Sequence, residues 1–171
     1  IATGWFHTCA VTSTGGAKCW GRNDWGQLGN GSYDNPLSAV DVVGIAGDVQ
    51  VIATGDMHTC AVVSGGGIKC WGWNGYGQLG DGTATSRLIP VAVTGLAGGA
   101  RGVATGDGHT CALLVTGGVQ CWGWNLVGQL GDGTNSSRPT PVYVTGLTDG
   151  VKAVATNGNH TCALTNSGGV K

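Results

Sequence analysis

The sequence of 171 residues contains one phenylalanine, one methionine and no run of apolar residues long enough to span a bilayer as a helix. Charge is scarce as well: eight Lys and Arg stand against nine acidic residues, a formal net charge of −1. That balance provides no basic field to attract nucleic acid or to bring the chain onto an anionic membrane, so neither partner is expected. No segment sustains the apolar spacing of a helix, which points to an all-β chain. Catalytic signatures are absent too: there is no nucleophile elbow, no His-Glu-x-x-His, no phosphate-cradling loop and no carboxylate pair outside turn positions. Neither enzymatic activity nor a cofactor or metal is expected.

Glycine is abundant, with 35 residues, and it is accompanied by seven Trp and seven Cys. These residues recur with a fixed step. Histidines fall at His7, His58, His109 and His160, each 51 residues after the last. Cysteines keep the same step, at Cys9, Cys60, Cys111 and Cys162 and again at Cys19, Cys70 and Cys121. The chain divides into repeat units 1–51, 52–102 and 103–153 and a partial unit 154–171. It opens in mid-period and stops one position before the next cysteine, so it is expected to be a fragment of a longer array, whose units need neighbours to bury their apolar faces.

Within one period, residues 49–53 form a β-branched run, and residues 58–63 and 68–73 flank the glycine-rich turn Ser64-Gly65-Gly66-Gly67. A glycine-rich loop follows, then a fourth short strand over residues 90–93, with Pro90 at a strand start or on an edge. Four short strands in about 50 residues are the signature of a propeller blade. WD blades have a shorter period and a Trp-Asp dipeptide, whereas kelch blades match the period but not the shared His-Thr-Cys-Ala and Gly-Gln-Leu-Gly segments.

Those segments carry a resemblance. Gly-x-x-His-Thr-x-Ala, followed by Trp-Gly-x-Asn-x-x-Gly-Gln-Leu-Gly-Asp-Gly-Thr, resembles the repeat of the regulator-of-chromosome-condensation family, and the match runs the length of the chain. The resemblance implies a β-propeller of four-stranded blades, seven in all, of which this chain would hold about three and a third. It implies little about activity, because one fold hosts many functions. The light-sensing branch of the family carries Gly-Trp-Arg-His-Thr. Here Phe6 replaces the arginine and the other units lack the tryptophan, so an aromatic cluster built on that motif is not expected.

Cysteines with nine residues between them across a hairpin turn would lie directly opposite one another, within disulfide reach. Bridges Cys9–Cys19, Cys60–Cys70 and Cys111–Cys121 are therefore expected, with Cys162 unpaired, and three bridges imply an oxidising compartment. The competing readings treat cysteine as a small buried hydrophobe or a metal ligand, although zinc sites favour closer spacing. The four histidines, spread around a ring, are expected to satisfy backbone groups in their own blades. Trp20, Trp71 and Trp122 are expected to be blade-packing residues, and Asp81-Gly82-Thr83 and Asp132-Gly133-Thr134 to form turns held by the aspartate. Sequons place candidate glycosylation at Asn30, Asn135 and Asn159.

Residues that change from unit to unit on this constant scaffold are the binding candidates: Trp5, Arg22, Trp25, Trp73, Tyr76 and Trp124. The sequence thus leads to a non-enzymatic, extracellular or cell-surface propeller that binds a protein partner or further copies of its own repeats. The alternative is a guanine-nucleotide exchange regulator of a small GTPase.

Overall fold

The computed structural model describes residues 1–45 and 47–171, and its regular elements are all strands. The first sheet contains β1 (Ala2–Thr3), β2 (His7–Val11), β3 (Ala17–Gly21) and β4 (Val40–Asp41). The second contains β5 (Val49–Thr54), β6 (His58–Val63), β7 (Ile68–Gly72) and β8 (Arg87–Ala92). The third contains β9 (Ala100–Thr105), β10 (His109–Leu114), β11 (Val119–Gly123) and β12 (Arg138–Tyr143). A two-stranded sheet, β13 (Val151–Asn157) with β14 (His160–Thr165), follows. Within each sheet the strands pair antiparallel and in chain order. Strands β1, β5, β9 and β13 are neighbours from sheet to sheet, so the first strand of each sheet faces the axis and the last forms the rim. This is the blade arrangement of a propeller. Among the described residues no helix is long and apolar enough to cross a membrane.

Hairpin chemistry sets the register. The turn between β6 and β7 passes through Gly65 and Gly66 at φ 83° and 79°, a region open to glycine at no steric cost. Closing the turn there places Cys60 opposite Cys70, just as Cys9 faces Cys19 and Cys111 faces Cys121. All three pairs are bridged, with Cα atoms 4.1 Å apart. Cys162 is free and exposed.

The fourth strand departs from the sequence reading. In the second sheet it spans Arg87–Ala92 and not 90–93, and in the first it shrinks to Val40–Asp41. An irregularity between Cys70 and Gly72 lets Arg87 pair with Gly72, which extends the strand backwards past Pro90. Pro90 is accommodated because β8 is the rim strand and needs no partner on its outer side.

The core lies between sheets. Cys9, Cys19, Leu28 and Val42 of the first blade cluster with Val49, Ile52, Ala61 and Trp71 of the second. The same set recurs one unit on, where Cys60, Cys70 and Leu79 meet Val103, Leu114 and Trp122. Every bridged cysteine is fully buried in such a seam, as are Trp71 and Trp122, whereas Trp20 is half-buried. Burying each large side chain here contributes roughly 1.5–3 kcal/mol.

Candidate functional site

The repeated histidines lie in the seams. His7 Nε2 is 2.8 Å from Thr59 Oγ1 of the next blade, and Thr59 donates its hydroxyl proton to the Gln27 carbonyl at 2.8 Å. Trp71 Nε1 donates to the same carbonyl at 2.9 Å. His58 with Thr110 and Gln78, and His109 with Thr161 and Gln129, repeat the arrangement. Because the threonine hydroxyl gives its only proton to the carbonyl, the imidazole must be the donor to it, which fixes the Nε2–H tautomer. Burial lowers the pKa of His7 and His109 to about 4 and that of His58 to about 3, so each ring is neutral near neutrality and keeps only its Nε2 proton. These imidazoles bond across to the following blade, not within their own as the sequence suggested: the 51-residue repeat juxtaposes equivalent strands of neighbouring sheets. They tie each blade to the next.

A second constant device shapes the loop after the third strand. Asn74, fully buried, donates from Nδ2 to Asp81 Oδ1 at 3.2 Å and to the carbonyls of Thr83 and Thr85, both at 3.1 Å. Its Oδ1 accepts from the Leu79 amide at 2.9 Å, while Gln78 Oε1 accepts from the Tyr76 amide at 3.0 Å. Asp81 also closes its expected turn, accepting from the Thr83 amide at 2.9 Å, and pairs with Arg87 at 2.7 Å. The third unit repeats this set around Asn125 and Asp132. Burial opposes ionisation of Asp132, but the hydrogen bonds from Thr134 and Arg138 prevail and bring its pKa down to about 2. In the first unit Asn30 and Pro36 stand in place of the aspartate and arginine. There Asn30 keeps the turn, accepting from Asn23 Nδ2 at 3.1 Å and from the Ser32 amide at 3.2 Å, while Asn35, at the position of Ser86, accepts from the Asn23 amide and donates to Asp24 Oδ1 at 3.0 Å, and Arg22 pairs with Asp24. Sequence reasoning did not single out these asparagines and glutamines, although they recur within the quoted Asn-x-x-Gly-Gln-Leu-Gly segment.

The strand directions bring the variable residues to one face. The turns after β1, β5 and β9 and the loops after β3, β7 and β11 all emerge at the same end of their sheets. There Trp25, Trp73, Tyr76 and Trp124 form a continuous row across three blades. Ring centroids are 6.2 Å apart for Trp25 and Trp73, 5.0 Å for Trp73 and Tyr76, and 5.6 Å for Tyr76 and Trp124. Two features draw the row together. Each loop leans over the next blade: Gly77, at φ 80°, sits so close to Pro139 that an added Cβ would lie 2.5 Å from its Cα. Gly108, lacking a side chain, leaves room for Tyr76 and Trp124, which a Cβ there would approach to 3.1 and 3.3 Å. Trp25 and Tyr76 stay open to solvent, 39% and 42% exposed.

The other two candidates meet elsewhere on this face. Trp5, 73% exposed, stands edge-on to Phe6 at 5.8 Å, and the Arg22 guanidinium lies 5.2 Å from the centre of the Phe6 ring. The cluster that forms is therefore built on the loop positions, and the Trp5 motif supplies only this pair. Towards the axis, Asp56 and Asp107 line a central depression with Thr3, Thr54 and Thr105. Burial, then the charge of Asp107, raises the pKa of Asp56, and Arg22 offsets this in part. Among the described residues neither aspartate has an ion-pair partner. Of the sequons, Asn135 and Asn159 are exposed, while Asn30 is half-buried and its Oδ1 accepts from Asn23 Nδ2 at 3.1 Å. Among the described residues no three His, Cys or acidic side chains converge.

The family model described as the regulator of chromosome condensation (RCC1) repeat matches residues 18–62, 66–113 and 116–164, and a second model of the same description matches 1–27, 49–78 and 100–129. The ultraviolet-B receptor UVR8 of Arabidopsis thaliana is 36% identical over 171 residues, covering 98% of this chain and 39% of that protein. The human probable E3 ubiquitin-protein ligase HERC4 is 31% identical over 175 residues, covering 99% of this chain and 16% of its own length. The chain thus spans well under half of these relatives. Among solved structures, human WBSCR16 superimposes with a TM-score of 0.86 at 27% identity, over 98% of this chain and 44% of that one. Yeast RCC1 (Prp20), solved bound to Kap60, gives 0.85 at 22% identity over 99% of this chain and 42% of its own, a likeness of fold.

Proposed function

Because this chain belongs to the regulator of chromosome condensation repeat family, we propose that it is a non-enzymatic protein-interaction module whose contact surface is the aromatic face. The observation that carries this reading is the row Trp25–Trp73–Tyr76–Trp124: four large rings, contributed by three blades, at positions where the units differ. Tryptophan and tyrosine dominate interface energetics, and rings already packed on one another lose little freedom on binding. The constant residues are engaged in the seams and loops, which leaves the variable ones to define the partner.

The module acts outside the reducing cell interior, on a cell surface or in secreted form. Three buried bridges at equivalent hairpin positions support that setting. The partner is a protein, as the yeast relative has in Kap60.

A photo-crosslinking residue placed at Tyr76, with a control at Val115 on the opposite end of the sheets, tests the assignment. Crosslinks from position 76 to a discrete protein, competed away by the unmodified chain and absent from position 115, are the expected result. Equal labelling from both positions, or accelerated nucleotide release from a small GTPase, would overturn it.

A further inference from the structure

We infer that the aromatic face receives an extended peptide segment bearing lysine or arginine side chains, with the rings taking the cations and the central aspartates supplying the counter-charge. This deepens the interaction-module reading and rests on it.

Three observations carry it. The first is charge. Asp24, Asp34, Asp56 and Asp107 lie on this face or its loops, and Arg22 pairs with Asp24 and acts on Asp56. Arg87 and Arg138 are already engaged by Asp81 and Asp132. Asp56 has an oxygen, Oδ1, that is buried and lacks a hydrogen-bond partner, and the nearby Asp107 adds a second negative charge that Arg22 offsets only in part. A carboxylate in that condition gains from an incoming cation twice, through the charge and through the donated N–H.

The second is a template inside the molecule. The Arg22 guanidinium rests 5.2 Å from the Phe6 ring centre while its Nε donates to Asp24. A cation held between a ring face and a carboxylate is thus already accommodated on this face. Arg22 occupies the repeat position that Trp73 and Trp124 fill in the next two units, so those units place a ring there, and with Gly75 and Leu126 in place of Asp24 their carboxylates are Asp56 and Asp107.

The third is layout. The Asp107-Gly108 turn abuts Tyr76 and Trp124, which sets the carboxylates towards the axis and the rings outside them. A segment lying radially across the face would touch both. A proline-rich segment would use the rings and leave the aspartates idle. A second copy would bring the same negative charge against itself.

The test is a titration followed by tryptophan fluorescence. The probe is a nine-residue peptide alternating glycine with lysine and arginine, and its counterpart carries norleucine and citrulline instead. Saturable binding of the charged peptide, at least about tenfold tighter than the neutral one and weakening with added salt, is expected. Asp56→Asn with Asp107→Asn should weaken it about tenfold or more, and Tyr76→Ala should do the same, with far-UV circular dichroism confirming that each variant is folded. Equal binding of the neutral peptide, undiminished binding to the double asparagine variant, or concentration-dependent self-association that excludes the peptide would each overturn the inference. If Trp73→Ala abolishes partner crosslinking from position 76 while the asparagine pair leaves it intact, the face is still the contact surface and only the basic chemistry is wrong. If neither change affects crosslinking, the interaction-module reading falls with it.

Discussion

A hydroxyl has one proton to give, and in each seam the threonine gives it to a glutamine carbonyl, so the histidine must reach in as a neutral donor. Three imidazoles held at about 3 to 4 in the folded chain, against 6.5 when exposed, make acid destabilising. The unfolded state takes up protons first, so the contribution is fully present above pH 6.5 and is withdrawn as pH falls from there towards 4. The linkage is on the order of 2–3 kcal/mol per histidine by pH 4.5. Denaturant midpoints at pH 7.5 and 4.5 should differ accordingly, and coincident midpoints would mean that the rings are not buried as neutral donors. Asn74 is the other residue on which much depends. Asn74→Ala removes two N–H donors, shared among Asp81, Thr83 and Thr85, and one accepted bond from a buried site, an expected loss of about 2–4 kcal/mol measured by chemical denaturation. Asn74→Asp should cost more, because it places a second carboxylate against Asp81. The recurrence of these residues was visible in the sequence. Their partners were not, because each bond runs to the next blade or across a long loop.

At the level of strands, the hairpins were legible and the rim was not. The strand His58–Val63 and the three cysteine pairings follow from local turn chemistry, which sequence displays directly. The fourth strand is displaced because Arg87 is anchored by Asp81, six residues earlier in a loop, and that anchor overrides the β-branched run on which the reading relied. Likewise, the variable aromatics could be picked out one by one, but their union into a row arises only where each loop leans on its neighbour. Two substitutions probe these elements. Replacing Cys60 and Cys70 together by alanine opens a loop of about ten residues and should lower stability by about 2–3 kcal/mol, read from thermal or denaturant unfolding. Gly77→Ala combines a left-handed backbone with a clash against Pro139 and should cost about 1–3 kcal/mol. It should also disturb the Tyr76–Trp124 pair, which near-ultraviolet circular dichroism reports.

For the molecule as a whole, the repeat makes one seam interchangeable with the next. Deleting residues 52–102 joins Val51 to Val103 without shifting the register, because the deletion removes one 51-residue period. The shortened chain should fold with two bridges and place Trp124 against Trp25 where Trp73 now stands. Loss of cooperative unfolding would show that the units are less equivalent than they look. Alkylation before and after reduction should label one cysteine and then seven in the parent chain, and seven at the outset would remove the case for an oxidising setting. The burial of every bridge between sheets has a kinetic consequence. A small reductant cannot reach those sulfurs while neighbouring blades are closed, so the rate at which each bridge is cut is a clock for the parting of its own seam. Followed by mass spectrometry under native conditions, three such clocks would time the breathing of the propeller blade by blade.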